Sequence, residues 1–261
     1  MRQVKVPPGV VFELKSILSE DDKLLGVIFN LSENGVINAQ ELATKSGAAN
    51  RGVVYNNLNM LKALLYGEMP TGASISRHSV RAIDRLLKNN TVSTELGSYF
   101  ENLRRALQEN SENLSAVNYD REILEKNSNR LSEKAAKFSH AIYVYSFPTY
   151  IHYGTIEDPE LIWLKIGSTR NSVWQRIVEQ NRQTSMPEDP KLLRIYHKDG
   201  MDLLAYEKKF HDTLEKVGHE RSAASRSKAG REWFATTVAA LDALAGLMEL
   251  TIESEVDFDE V

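Results

Sequence analysis

The chain has 261 residues, 42% of them hydrophobic and 26% charged, which is enough for two domains each with its own core. It contains no cysteine, which excludes disulfides and cysteine–zinc sites, and no apolar stretch approaches a membrane span. The formal charge of −4 is uneven: residues 1–138 carry 18 basic and 16 acidic side chains, residues 139–248 carry 14 of each, and the last thirteen residues hold six acids and no base. The body is near neutral, so a strongly charged partner must be met by local patches. Glu249 to Val261 reads as a solvated acidic tail. Met1 to Val11 lacks a signal-peptide apolar core, and with the absence of cysteine this sets the expectation of a reducing cytoplasm.

Residues 11–31 pattern as one helix, with Phe12, Leu14, Ile17, Leu18, Leu24, Leu25, Ile28 and Leu31 as its apolar positions and Ser32-Glu33-Asn34-Gly35 as its stop. Asn38 can cap a short helix that Gly47 ends, and a second helix runs from about Arg51 to Leu65 with Val54, Leu58, Leu61 and Leu65 on one face. Leu42-Ala43, Gly47, Val54 and Leu58 together resemble a helix-turn-helix, with about one extra residue after Gly47. Asn50, Arg51, Tyr55, Asn56, Asn59 and Lys62 then lie on the outer side of the second helix, where asparagine suits adenine and arginine suits guanine or phosphate. Arg77, Arg81, Arg85 and Lys88 recur every three or four residues along the next segment and form a basic stripe, read as a phosphate contact or as a solvated face.

Residues 95–138 are polar and favour helix, with sparse apolar positions and no strict heptad. They read as one long helix or as two broken near Asn110-Ser111-Glu112-Asn113, serving as a spacer or a dimer arm. Beyond residue 140 the pattern changes. Short runs rich in β-branched and aromatic residues predict strands at Ala141–Phe147, Leu161–Gly167 and Lys191–His197. Helices are predicted at Ser172–Arg182, Met201–Val217 and Thr236–Met248.

The first two strands carry Tyr143 and Lys165-Ile166-Gly167, and Arg176 follows nine residues after Gly167 on the next helix. A tyrosine, a lysine and an arginine at one sheet edge suit phosphodiester chemistry. A cation beside a tyrosine favours the phenolate, which makes Tyr143 a general base with Lys165 next to it, and the arginine fork fits a non-bridging phosphate oxygen. These residues, with the helix Ala205-Tyr206-Glu207-Lys208-Lys209-Phe210-His211 and the run Glu232-Trp233-Phe234, resemble the GIY-YIG nuclease family over roughly residues 139–248. The resemblance implies a small antiparallel sheet flanked by helices, and Glu207 as the one protein ligand of a Mg²⁺ or Mn²⁺ ion. His211, one turn after Glu207, either orients the site or serves packing. Two departures stand out: Lys165 takes the place of a tyrosine, and the stretch between Tyr143 and Lys165 is long, leaving Tyr145 and Tyr153 as alternative working tyrosines. Arg170 and the basic stretch with Arg221, Arg226 and Lys228 read as DNA-facing.

The expected fold is α+β: a helical module at 1–95, a helical linker at 96–138, the nuclease-like domain at 139–248 and the acidic tail at 249–261. The expected activity is metal-dependent endonucleolytic hydrolysis of double-stranded DNA, of a restriction, phage or mobile-element type, in a bacterial or phage-encoded cytoplasmic protein that could pair as a homodimer. The alternatives are a DNA-binding regulator whose nuclease-like domain is inactive, and an assembly protein organised by the long helix.

Overall fold

The computed structural model describes residues 3–48, 51–155, 158, 161–184, 188–222 and 232–254, and the chain divides into two compact units between Ile123 and Leu124. The N-terminal unit is built from α1 (Pro8–Glu20), α2 (Leu24–Glu33), α3 (Ala39–Ser46), α4 (Arg51–Tyr66), α5 (Ala73–Asn89), α6 (Thr94–Ser111) and the first half of α7 (Leu114–Ala135). Where the pattern predicts one helix over 11–31 there are two. Asp21 is the reason: its carboxylate accepts from the Lys23 amide and from Arg85, so a side chain takes the backbone hydrogen bond that would continue the helix. Gly26 then lets α2 start against the end of α1, since a Cβ there would stand 2.2 Å from the Asp21 carbonyl oxygen. Both ends of α3 form as their residues dictate: the Asn38 side chain accepts from the Gln40 and Glu41 amides, and Gly47 adopts φ +72°.

The segment read as a linker begins with a core helix instead. Leu96, Tyr99, Phe100, Leu103 and Leu107 of α6 are buried with Val10, Leu14, Leu61 and Leu64 in one cluster. The break expected near Asn110–Asn113 is present, and α7 follows it. Asp120 of α7 accepts from the Ser74 amide at 2.7 Å, supplying from another helix the cap that α5, which starts after Gly72, lacks of its own.

The C-terminal unit, 124–255, holds β1 (Ala141–Ser146), α8 (Pro148–Tyr153), β2 (Ile162–Thr169), α9 (Val173–Thr184), β3 (Lys191–His197), α10 (Leu203–Lys216), β4 (Trp233–Thr236), α11 (Val238–Leu247) and β5 (Thr251–Glu253). The strands form one antiparallel sheet in the order β4-β2-β1-β3-β5. Every residue of the central β1 is buried, because both faces are covered. Ile142, Val144, Leu164 and Ile166 pack with Phe210, Leu214, Leu241 and Ala245 of α10 and α11. Tyr143, Tyr145 and Ile195 pack on the other face with Leu131, Ala135, Val173 and Ile177 of α7 and α9. Period-2 alternation is therefore absent in β1, which reads as a continuous apolar run. On β3, Arg194 and the Tyr196 hydroxyl both bind Asp242 of α11, with the tyrosine oxygen at 2.8 Å, so a nearly buried carboxylate ties that helix to the sheet. Three elements escape the sequence pattern. Short α8 lies in the long connection, β4 is the run Trp233-Phe234, and β5 pairs with β3 at the start of what reads as a solvated tail, so Thr251 to Glu253 are structured. Among the described residues no helix is long and apolar enough to cross a membrane.

The Arg85–Asp21 pair gives a stability prediction. Burial pushes the Asp21 carboxyl up, but the Arg85 hydrogen bond and charge, with the Lys23 amide, outweigh it and hold it below the usual range. A lowered folded-state value means that the pair stabilises above the ordinary carboxylate range and that this is lost as pH falls through it. Arg85→Ala should cost about 1–3 kcal/mol at neutral pH, and the difference from wild type should shrink near pH 3. Chemical denaturation at both pH values reads this, and an equal loss at the two would show that the pair is not what Arg85 contributes.

Candidate functional site

The register of β1 against β2 builds the site. It sets Tyr143 opposite Gly167 and Tyr145 opposite Lys165, all on the α9 side of the sheet. A Cβ on Gly167 would lie 2.7 Å from the Tyr143 hydroxyl oxygen and 2.8 Å from Cζ, so the ring crosses the bare backbone of the glycine. Strand β4 pairs with β2 only from Ile162 to Lys165, and Gly167 lies beyond the end of that ladder.

Helix α9 starts four residues after β2 and turns Val173 and Ile177 into the core, which brings Arg176 and Gln180, one turn apart, to Tyr143. The Tyr143 hydroxyl donates to Gln180 Oε1 at 3.0 Å, and the Arg176 charge acts on the Tyr143 oxygen. Burial pushes the Tyr143 hydroxyl well above its ordinary pKa, Glu232 pushes it further, and Arg176 only partly opposes them. The group is therefore a neutral phenol at physiological pH, which corrects the expectation of a phenolate favoured by Lys165. Lys165, 2% exposed, places Nζ 3.3 Å from Glu232 Oε2 and 5.8 Å from the centre of the Tyr145 ring. That Glu232 oxygen is buried and has no hydrogen-bond partner among the described residues, so the contact is Coulombic. The cation beside Tyr143 is Arg176. Of the alternative tyrosines, Tyr145 is buried under Lys165 and Trp233, and Tyr153 is 70% exposed at the end of α8.

On the opposite face, the Ser168 hydroxyl donates to Glu207 Oε2 at 2.6 Å, which orients the half-buried carboxylate at the same strand. Tyr143 feels the charges of both Glu207 and Glu232. His211 Nε2 donates to the Ile166 carbonyl at 3.1 Å, and its ring leans on Phe234. Burial lowers its pKa, so the ring is neutral and Nδ1 is its acceptor; the backbone contact fastens α10 to β2.

Several expected DNA contacts are engaged within the fold. Arg85 is committed to Asp21. Arg77 is half-buried, and burial lowers its pKa while Asp120 acts against this. Arg81 is half-buried as well. Arg221 lies over the Phe234 ring at 4.8 Å and pairs with Glu215 at 2.9 Å, a structural clamp rather than a free contact. Arg170 is exposed on the turn after β2. On α4, Arg51, Tyr55 and Lys62 are exposed and Asn59 is half-buried on the same stripe, whereas the Asn56 side-chain oxygen is buried. Asn50, Arg226, Lys228 and Arg231 lie outside the described residues. Gln180, Ser168 and Asp21 are functional or structural partners that the motif pattern does not single out; for Gln180 the signal is its spacing of four from Arg176.

Residues 141–249 match the T5orf172 domain. This overturns the family identification made from the motifs: the region matches the T5orf172 domain and not the GIY-YIG family. The motifs behind that identification are short, and the connection holding α8 already departs from it. No curated protein and no solved structure matches the chain.

Gly167 gives the site a direct test. Gly167→Ala should displace Tyr143 and destabilise the fold by about 1–3 kcal/mol. Gly97→Ala, where the nearest atom is 3.9 Å away in helix α6, should be neutral or stabilise by about 1 kcal/mol. Melting curves that place both variants together would remove the close approach of Tyr143 as the reason for the glycine.

Proposed function

We propose that the C-terminal unit hydrolyses phosphodiester bonds in double-stranded DNA. The observation that carries this reading is the placement of Tyr143 and Arg176 beside Gly167 on one face of β2 and of Glu207 against Ser168 on the other, a cation at a buried phenol and a carboxylate at the same strand end. The association of the T5orf172 domain with nuclease-like and DNA-binding functions supports it. Arg176, whose charge is only loosely met by Glu179 at 3.8 Å, can fork onto a non-bridging phosphate oxygen. Neutral Tyr143, fully buried, acts through Arg176, to which its oxygen presents an acceptor.

Among the described residues no three His, Cys, Asp or Glu side chains gather as a metal cage. A half-buried Glu207 held by one hydroxyl fits the other common arrangement, a hydrated Mg²⁺ or Mn²⁺ on a single carboxylate. When bound, such an ion neutralises phosphate charge and lowers the pKa of coordinated water. Docking on duplex DNA is assigned to the exposed stripe of α4 in the helix-turn-helix-like pair α3–α4, where Arg51, Tyr55, Asn59 and Lys62 stand. A second reading, a DNA-binding regulator without cleavage, draws on the pairing of Lys165 with Glu232, which turns that cation inward.

Nicking of supercoiled plasmid with Mg²⁺ or Mn²⁺ decides between them. Glu207→Ala should lower the rate by at least about 100-fold while DNA retention stays within about threefold, and Tyr143→Phe should lower it about 10–100-fold. Full cleavage by Glu207→Ala would remove that carboxylate from the site, and a wild type that binds duplex without cutting it would favour the regulator.

Arg51→Ala should change the preferred binding sequence at one position, at about 1–3 kcal/mol of discrimination, without changing the fold. Selection from a random duplex library reads the preference. An unchanged profile would place sequence reading somewhere other than α4.

A further inference from the structure

We propose that Gln180 is a positioning residue for Tyr143: its amide oxygen takes the hydroxyl proton, so that the phenol oxygen turns its lone pairs toward Arg176 and the Gly167 edge. Gln180 is 7% exposed and Tyr143 is fully buried, so each group would be left with an unmet polar atom without the other. A tyrosine hydroxyl carries one proton, and here the proton points at Gln180 Oε1 at 3.0 Å. The cation whose charge acts on the Tyr143 oxygen, the Arg176 guanidinium, can only donate. One turn of α9 therefore presents an acceptor at position 180 and a donor at position 176, and between them the orientation of the hydroxyl is set.

The consequence deepens the hydrolytic reading and rests on it. On that reading Tyr143 presents an acceptor to Arg176 and is not a donor to the phosphate. Its neutrality follows from burial and from the carboxylates of Glu232 and Glu207, with Arg176 acting against them. Gln180 adds direction to that neutral group. No other side chain is recorded as taking the proton of Tyr143 among the described residues.

The test is a double-mutant cycle on the full chain. Gln180→Met keeps length and removes the acceptor. In Mg²⁺-dependent cleavage of a duplex substrate, kcat should fall about 10–100-fold with KM within about twofold, and Gln180→Met should add less than about threefold in a Tyr143→Phe background. A purely structural glutamine would instead lower stability and leave the two effects additive. A readout independent of cleavage comes from protein labelled with ¹³Cζ-tyrosine: the Tyr143 resonance, identified by its loss in Tyr143→Phe, should move at neutral pH in Gln180→Met. Gln180→Leu provides the same comparison where Gln180→Met fails to fold. An unmoved resonance, or additive rate losses, would overturn the assignment. A moved resonance in a protein whose wild type does not cleave would keep Gln180 as the partner that orients the hydroxyl and end the hydrolytic reading alone.

Discussion

The register that sets Tyr143 opposite Gly167 is the constraint from which the rest of the site follows. An aromatic ring can cross a neighbouring strand only where that strand has no side chain, and the Cβ distances at Gly167 leave no room for one. With the ring laid over the strand, its hydroxyl reaches the flank of α9, where Arg176 and Gln180 meet it. The same register puts Lys165 opposite Tyr145, two residues back, so the lysine belongs to the second tyrosine and not the first. A slip of one residue would send Tyr143 to the α10 face and dismantle every one of these contacts.

The tyrosine face then has an electrostatic problem. Tyr143, Tyr145 and Lys165 are all buried, and for the tyrosines burial disfavours the charged form. The two tyrosines answer by remaining protonated, held well above their usual range chiefly by desolvation. Lys165 is answered by a carboxylate, Glu232, and by the face of the Tyr145 ring. A buried ion pair of this kind stabilises little after the cost of desolvating both partners. What it does provide is placement: the ammonium is held against one ring by one carboxylate, at the end of β4, where the chain enters the sheet from Glu232.

Strands β1, β2 and β3 and helices α9 and α10 were legible from sequence because each carries a strong local signal: apolar runs in β1 and β3, a glycine and polar turn after β2, and helical spacing in α9 and α10. The α3 cap at Asn38 and turn at Gly47 were legible for the same reason. The division of residues 11–31 was not, because it depends on Arg85, distant in sequence, drawing Asp21 out of the helix. Nor was β5, whose three residues are polar or lone apolar and become a strand only because β3 offers an edge. At the site, Tyr143, Arg176 and Glu207 stood out as residue types suited to phosphate chemistry. Gln180 and Ser168 did not, since an amide or a hydroxyl acquires meaning only from the group it faces. The family name failed for a related reason: three-residue motifs record chemistry without recording the connections between them.

The helical unit shows the same limit from the opposite side. A row of arginines spaced by helical turns predicts a basic stripe, and on α5 the row is present. Two of its charges are nevertheless met: Arg85 forks onto Asp21, and Arg77 lies half-buried near Asp120. A cation already paired inside its own fold would have to break that pair to bind a phosphate, and the buried carboxylate left behind would oppose the exchange. On α4, Arg51 and Lys62 are exposed, and no ion pair to an acid is recorded for either among the described residues. Helical spacing is common to both rows, so spacing cannot tell them apart. What separates a contact surface from a structural stripe is whether acids elsewhere in the chain come to meet it, and in this unit that comparison favours α4.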